Sequence, residues 1–254
     1  RIEGYRNFCN KIWNATRFAL PYIQDSVVEN APPPATILPN RWILSRLADA
    51  VEASTKGIDE FRLDDASSAL YRFFWNELCD WYLELTKPIF LSSDEAIKAE
   101  TGRVLAHVIE TALRALHPFM PFLTEELWHR VPRPANSGEC LATARYPQSC
   151  DGRPDPDAER EMSILQQVIV AARTIRSEHE VHPGAEIPLT LRASDSSVRD
   201  CLVRGQVSIK TLVKTIGEPC IEASGGERPK GSVMSVAGPV EVMVGLKGLV
   251  EPTR

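Results

Sequence analysis

The first twenty residues contain side chains suited to binding single-stranded RNA. Wound as a helix at about 100° per residue, this segment gathers cations, amides and one aromatic ring on one face. That face holds Arg6, Asn7, Asn10, Lys11, Asn14, Arg17 and Phe18. Lysine and arginine bind phosphates, asparagine amides offer donors and acceptors to base edges, and an aromatic ring can stack on an unpaired base. The pattern favours contact with an RNA loop, and the alternative is a solvated face with one stray phenylalanine.

The opposite face of the same segment is apolar, which predicts a helix with one side in a core. It consists of Tyr5, Phe8, Cys9, Ile12, Trp13, Ala15, Ala19 and Leu20. No acid occurs between Glu3 and Asp25, so the polar face is cationic along its length.

Leu83 is the unusual residue of a second helical segment, residues 64–87. On the helical wheel it falls among polar side chains, namely Arg72, Asn76, Asp80 and Lys87. An apolar side chain on a polar stripe is incidental, or buried by a neighbouring element, or a second surface for an unstacked base. Spacing alone favours one of the first two alternatives, although the helical wheel predicts that Leu83 faces outward.

Apolar residues recur at helical spacing up to Val131, interrupted by proline-containing turns. This rhythm predicts five helices, at residues 2–22, 40–56, 64–87, 93–116 and 119–130. Asn40 is the expected N-cap of the second, and Ser92 to Glu95 supply a cap and an acid for the fourth. Because the connections are short, the helices should pack as an antiparallel bundle.

Beyond Val131 the sequence changes character. Residues 132–156 are rich in Pro, Gly, Ser and Asn, which is typical of a linker or a long surface loop. Residues 157–250 then combine two helical stretches, 157–179 and 196–212, with strands expected at 187–192, 217–223 and 232–246. We therefore predict a mainly α protein with an antiparallel helical bundle at 1–131, a linker at 132–156 and a small α/β domain at 157–250.

Composition narrows the function classes. The net charge of −5 excludes a wholesale basic coat for nucleic acid, although not a local basic face. No apolar run reaches the roughly 20 residues of a membrane helix and no signal peptide is present, so we expect no membrane partner and a cytoplasmic location. The chain begins without Met inside a predicted helix, so we interpret it as part of a longer protein.

Six dispersed cysteines, without a CxxC pair, predict free thiols in a reducing compartment. A zinc site from His129, Cys140 and Cys150 is conceivable, but its spacing lacks the close pairs of known sites, and we predict no metal site. Neither a glycine-rich phosphate loop nor a recognisable nucleophile–base set occurs. We predict no catalytic residue in this chain.

Four stretches of the sequence, in order and at similar spacing, resemble the C-terminal half of the valyl-tRNA synthetases. They are residues 6–18, 40–46, 70–84 with Lys87-Pro88, and 116–128. The most specific strings are Asn-Lys-Ile-Trp-Asn-Ala at 10–15 and Cys-Asp-Trp-Tyr-Leu-Glu at 79–84. The related isoleucyl and leucyl synthetases share the bundle but are not expected to have these strings, and the same region of one of them is the alternative within the class.

The resemblance implies a class I anticodon-binding bundle that grips the anticodon stem-loop of tRNA(Val). It implies that Lys11, Arg17, Phe18 and Leu83 contact anticodon bases; the helical wheel adds Arg6, Asn7 and Asn14. The His-x-Gly-His-like and Lys-Met-Ser-Lys-Ser-like motifs of class I enzymes are missing, so ATP and magnesium are expected in a catalytic domain outside this chain. Two functions of other classes are a protein-interaction scaffold and an enzyme with its own site between the two domains.

Overall fold

The computed structural model describes residues 2–148 and 154–246, which form two compact units divided after Ala158. The first unit is a helical bundle, and the second contains a small four-stranded sheet, so the predicted mainly α fold is confirmed. The helices of the first unit are α1 (Ile2–Ile23), α2 (Leu38–Asp59), α3 (Leu63–Arg72), a π-helical segment (Phe73–Tyr82), α4 (Leu83–Leu91), α5 (Glu95–Leu116) and α6 (Pro121–Trp128). None of the helices in the described ranges is long and apolar enough to cross a membrane.

Helix α1 buries one face and leaves the other in solvent, as its amphipathic pattern predicts. Phe8, Ile12 and Ala19 belong to the core. The predicted apolar face is wider than the buried one, however, because Tyr5 is 71% exposed and Trp13 is 36% exposed. The guanidinium of Arg130 lies 5.6 Å from the centroid of the Trp13 ring, so Trp13 packs against a cation at the edge of the core.

Asn40 is not an N-cap, and that prediction is wrong. Helix α2 begins at Leu38, with Pro39 in its first turn, and the cap position is held by Ile37. Asn40 is completely buried, and its amide donates to the Glu100 carboxylate at 2.9 Å. A short polar residue near a helix start can therefore serve the core instead of the cap when a buried acceptor lies beside it.

Leu83 is buried, with 6% of its surface exposed, so the prediction that it faces outward is wrong. It follows the π-helical segment Phe73–Tyr82, and its amide bonds five residues back, to the Leu78 carbonyl. A π turn closes i→i+5 bonds and holds more residues than an α turn, so each residue rotates by less than the assumed ~100°. Over ten residues this lag moves Leu83 from the polar stripe to the core side.

The predicted N-terminal signal of α5 is confirmed. The carboxylate of Asp94 accepts hydrogen bonds from the amides of Ala96 at 3.1 Å and Ile97 at 3.0 Å, which satisfies two free donors of the first turn. This cap fixes the start of the helix that supplies Glu100 to the core.

The stretch between the bundle and the sheet is tied to the first unit. The Glu125 carboxylate accepts the Leu141 amide at 2.9 Å, at the start of the short 3-10 turn Leu141–Thr143. Further along, the Arg41 guanidinium holds the Asp155 carboxylate with two bonds of 2.8 and 2.9 Å. The domain boundaries expected at 131 and 157 stay a prediction.

The second unit is built on the sheet order β2-β1-β4-β3. Its elements are α7 (Pro156–Glu178), β1 (Leu189–Arg192), α8 (Ser196–Arg204), α9 (Gln206–Val213), β2 (Cys220–Glu222), β3 (Ser232–Ala237) and β4 (Val240–Gly245). Strands β1 and β2 are parallel, whereas β4 runs antiparallel to both β1 and β3. The single helix expected at 196–212 is broken at Gly205, where an added Cβ would lie 2.5 Å from Leu165.

Two buried arginines order the loops of this unit. Arg176 donates to the carbonyls of Val213 and Ala185 at 3.0 and 2.8 Å. Arg192 pairs with Glu222 at 2.8 Å and also donates to two carbonyls of the loop before β3. Because their donors are used inside the unit, both side chains stabilise its fold.

Candidate nucleic-acid interface

The polar face of α1 is on the surface of the first unit. We call it the α1 strip and define it as Arg6, Asn7, Asn10, Lys11, Asn14, Arg17 and Phe18. Lys11 and Phe18 are half-buried, and the other five are exposed. The bundle therefore presents cations, amides and an aromatic edge along one helix, as the sequence pattern predicts.

Phe18 is the outermost ring of an aromatic cluster and contacts Tyr22 at an interplanar angle of 52°. Its ring centroid is 5.6 Å from that of Tyr22, which in turn stacks on Phe90 of α4 at 4.0 Å with an interplanar angle of 9°. The Lys87 ammonium lies 5.9 Å from the Phe18 centroid. The tilted contact with Tyr22 restrains the Phe18 ring, and the ring lies beside a positive charge, an arrangement suited to packing on an unpaired base.

Arg6 and Arg17 have only local partners among the described residues. Arg6 approaches Glu3 at 3.6 Å within the first turns of α1. Arg17 donates to the side-chain oxygen of Asn14 at 3.2 Å, which leaves most of its five donors available to a ligand. Both can reach phosphates in solvent.

Lys11 is placed differently, because it is paired across the bundle. Its Nζ lies 2.8 Å from Oδ1 of Asp80 in the π-helical segment and 4.9 Å from the centroid of the Trp75 ring. Partial burial lowers the pKa of the ammonium, whereas the hydrogen bond and the charge of Asp80 raise it. The net result is a pKa above the ordinary value. Lys11 is thus a charged and oriented donor.

Charged residues of both signs from outside α1 lie beside the α1 strip, and the amphipathic pattern of α1 did not reveal them. Asp80 contacts Lys11, and Glu84 pairs with Lys87 at 2.6 Å. Asp80, Glu84 and Lys87 lie at helical spacing on the chain segment that follows Trp75. The string Cys-Asp-Trp-Tyr-Leu-Glu pointed to this region, but Leu83, the residue selected from it, is the buried one.

The cysteines and histidines supply no alternative site within residues 2–148 and 154–246. No three His, Cys, Asp or Glu side chains of that part come together as a metal site requires. Of the conceivable zinc ligands, Cys150 lies outside the described residues, and His129 contacts the Glu125 carboxylate at 3.0 Å. Burial raises the pKa of the Cys79 thiol, beside Lys11, to about 12, so it is not a nucleophile at neutral pH.

Comparison with known proteins assigns the chain to a family. A family model described as the anticodon-binding domain of tRNA ligase matches residues 40–191. The chain is also similar to the valine–tRNA ligases of Acinetobacter baylyi (42% identical, 99% of this chain and 26% of the relative) and Geobacter sulfurreducens (42%, 98% and 28%). The valine–tRNA ligase of Psychrobacter arcticus is 38% identical over all of this chain and 26% of its own length.

The chain thus spans about a quarter of the length of these relatives, and their alignments include helix α1, which the family model does not reach. The matched range begins in α2 and contains the π-helical segment with Asp80. Since the match covers more than half of the 254 residues, the chain belongs to the anticodon-binding domain family of tRNA ligases.

Proposed function

We propose that this chain docks and reads the anticodon stem-loop of tRNA(Val) for a valine–tRNA ligase of the cytoplasm. The observation that supports this most directly is the α1 strip, with its exposed arginines and its Phe18 ring packed against Tyr22, in a member of an anticodon-binding family. The relatives that match the chain end to end are named valine–tRNA ligases, and that name is the support for tRNA(Val).

In this proposal phosphate contacts set the register and base contacts provide the specificity. Arg6 and Arg17 bind phosphates of the loop, and Phe18 stacks on an unpaired base. For Arg17 this departs from the base contact that the family resemblance implies, because its guanidinium is exposed and has only a local partner in Asn14. Asn7 and Asn14 offer amide donors and acceptors to base edges, and Lys11 donates from its fixed position. Leu83 is left out, because its side chain is buried.

The ATP-dependent valylation itself belongs to a catalytic domain outside this chain, together with ATP and magnesium. The two class I sequence motifs that surround ATP do not occur in the 254 residues. The remaining domains of the ligase are therefore the second partner of the chain, after the tRNA.

A filter-binding assay with the 254-residue chain tests the proposal. The ligands are tRNA(Val), the same tRNA with a swapped anticodon, tRNA(Ile) and tRNA(Leu), each measured over a range of salt concentrations. We expect the tightest binding to tRNA(Val) and a steep fall of its affinity with salt. Equal binding of the swapped tRNA would contradict anticodon reading, and preference for tRNA(Ile) or tRNA(Leu) would assign the chain to a related synthetase.

A further inference from the structure

The ion pair between Lys11 and Asp80 joins two elements that are 69 positions apart in the sequence. The Lys11 side chain is 33% exposed and that of Asp80 is 45% exposed, so the pair lies at the surface and a ligand can reach it. An exposed pair of this kind contributes little to folding stability, because solvent screens the charges and two long side chains lose rotamer freedom. Its position in the α1 strip is the more informative property.

Trp75 is the second side chain that restrains the Lys11 ammonium. Its ring is held in turn by Tyr71, with centroids 5.6 Å apart, and by Phe8, with centroids 6.3 Å apart. Lys11 is therefore fixed between a carboxylate and a packed aromatic cluster. A lysine otherwise samples many rotamers, and a fixed one loses less freedom when it donates to a ligand.

Asp80 also changes the charge that a ligand encounters. A free ammonium attracts any phosphate, whatever the sequence of the RNA, since phosphate contacts are insensitive to the base. An ammonium that already donates to a carboxylate attracts phosphates less. The pair offers a hydrogen-bond donor next to an acceptor. The edge of a base also carries donors and acceptors side by side, so the two can be complementary.

We propose that Asp80 is a positioning residue, which holds Lys11 for contact with a base edge and prevents it from binding phosphates indiscriminately. The inference rests on the function proposed above and deepens it, because it separates the cations of the α1 strip into two roles. Arg6 and Arg17 provide affinity, whereas the Lys11–Asp80 pair provides discrimination between RNA loops.

The test compares D80N with E95Q in the complete 254-residue chain. Glu95 pairs with Lys98 within α5 at 2.9 Å, so E95Q removes one unit of charge without releasing Lys11. Binding of tRNA(Val) and of its anticodon-swapped form is measured as a function of salt, and the thermal unfolding of each variant is recorded. The same substitution is then made in a K11M chain, which retains the apolar stem of Lys11 without its charge.

For D80N we expect a plot of log affinity against log salt that is steeper by about 0.7, the increment for one more contact to single-stranded RNA. We also expect the preference for tRNA(Val) to fall by roughly fivefold or more, the lower range for loss of one base contact. E95Q should change neither quantity, and in the K11M chain D80N should have no further effect.

Two results would overturn the proposal while leaving the proposed function intact. One is a D80N chain with the parent's salt slope and preference. The other is a D80N chain that loses affinity for both RNAs in the same proportion and unfolds at a lower temperature, with the same two losses when D80N is made in the K11M chain. Asp80 would then have a structural role that does not depend on Lys11. A parent chain that does not distinguish the two RNAs removes the proposed function itself, and the role of Asp80 with it.

Discussion

The hydroxyl of Tyr82 donates to the side-chain oxygen of Asn40 at 2.7 Å, in a site where both residues are completely buried. The amide of Asn40 donates in turn to Glu100 of α5. This chain of hydrogen bonds joins the π-helical segment to α2 and α5, and α1 packs against two of these elements, the π-helical segment and α5. Burial raises the pKa of Tyr82 well above its ordinary value, so the hydroxyl remains a donor at physiological pH.

Removing the Tyr82 hydroxyl should therefore destabilise the bundle. Tyr82→Phe leaves the Asn40 oxygen buried without its donor, and we expect the free energy of unfolding to fall by about 1–3 kcal/mol. Urea denaturation followed by circular dichroism measures the change. Tyr5→Phe is the matched control, because Tyr5 is 71% exposed and its hydroxyl can bond to water. If both variants unfold at the same urea concentration, the buried network contributes nothing.

Asn40 and Asp94 show which parts of the bundle could be predicted from the sequence. Both are good N-cap residues, and the sequence places both beside a predicted helix start. Asp94 caps α5 through contacts two and three residues away, which a local pattern can predict. Asn40 instead bonds to residues 42 and 60 positions away. A competition between a cap and a distant buried partner is decided by tertiary structure, which one sequence does not reveal.

The candidate site likewise has a part that the sequence predicts and a part that only tertiary structure decides. The α1 strip was predictable, because an α-helix with regular rotation places its residues on fixed faces. Leu83 was misplaced, because the π-helical segment changes the rotation and no local signal announces it. Asp80 reaches Lys11 only through the packing of that segment on α1. The helical periodicity of α1 thus predicts the surface, but not the partner that orients one of its cations.

The stability of the bundle should depend on Glu100 at acid pH. Burial raises the pKa of Glu100, whereas the hydrogen bonds from Thr36 and Asn40 lower it. The net result is a pKa below the ordinary value of 4.5. The folded state then binds the Glu100 proton more weakly than the unfolded state. Its stabilisation is complete above about pH 4.5 and is lost as the pH falls through the lowered pKa.

Urea unfolding of the parent and of Glu100→Gln, at about pH 6.5 and about pH 3.5, measures this contribution. We expect Glu100→Gln to be less stable than the parent at the higher pH and to approach it at the lower one. Glu95→Gln, at an exposed position of the same helix, should follow the parent at both. A constant difference between the parent and Glu100→Gln would exclude a lowered pKa at this residue.

Phe18 should contribute to RNA affinity as a stacking surface. Phe18→Ala removes the stacking surface beside Lys87, and we expect a loss of about 1–3 kcal/mol of binding free energy for tRNA(Val) at fixed salt. Phe122→Ala is the control, because Phe122 of α6 is 91% exposed and lies outside the α1 strip. Filter binding measures both variants. Equal affinities for Phe18→Ala and the parent would mean that no base stacks on this ring.

Arg17 should affect the salt dependence of binding more than its specificity. In the described structure its side chain has one partner, the Asn14 oxygen, so it is available to a phosphate. Arg17→Ala removes one such contact, and the plot of log affinity against log salt should become shallower by about 0.7. The ratio of affinities for tRNA(Val) and its anticodon-swapped form should change little, because a phosphate contact does not depend on the base sequence.

Lys56→Ala is the control for Arg17→Ala, since Lys56 is an exposed cation of α2 and should leave the slope unchanged. An Arg17→Ala chain with the parent's slope but a reduced preference for tRNA(Val) would place Arg17 on a base. Because Arg17 and Phe18 are neighbours on the strip, a double variant tests whether they bind one nucleotide. Losses that add would assign them to separate contacts, and losses that do not add would assign them to the same one.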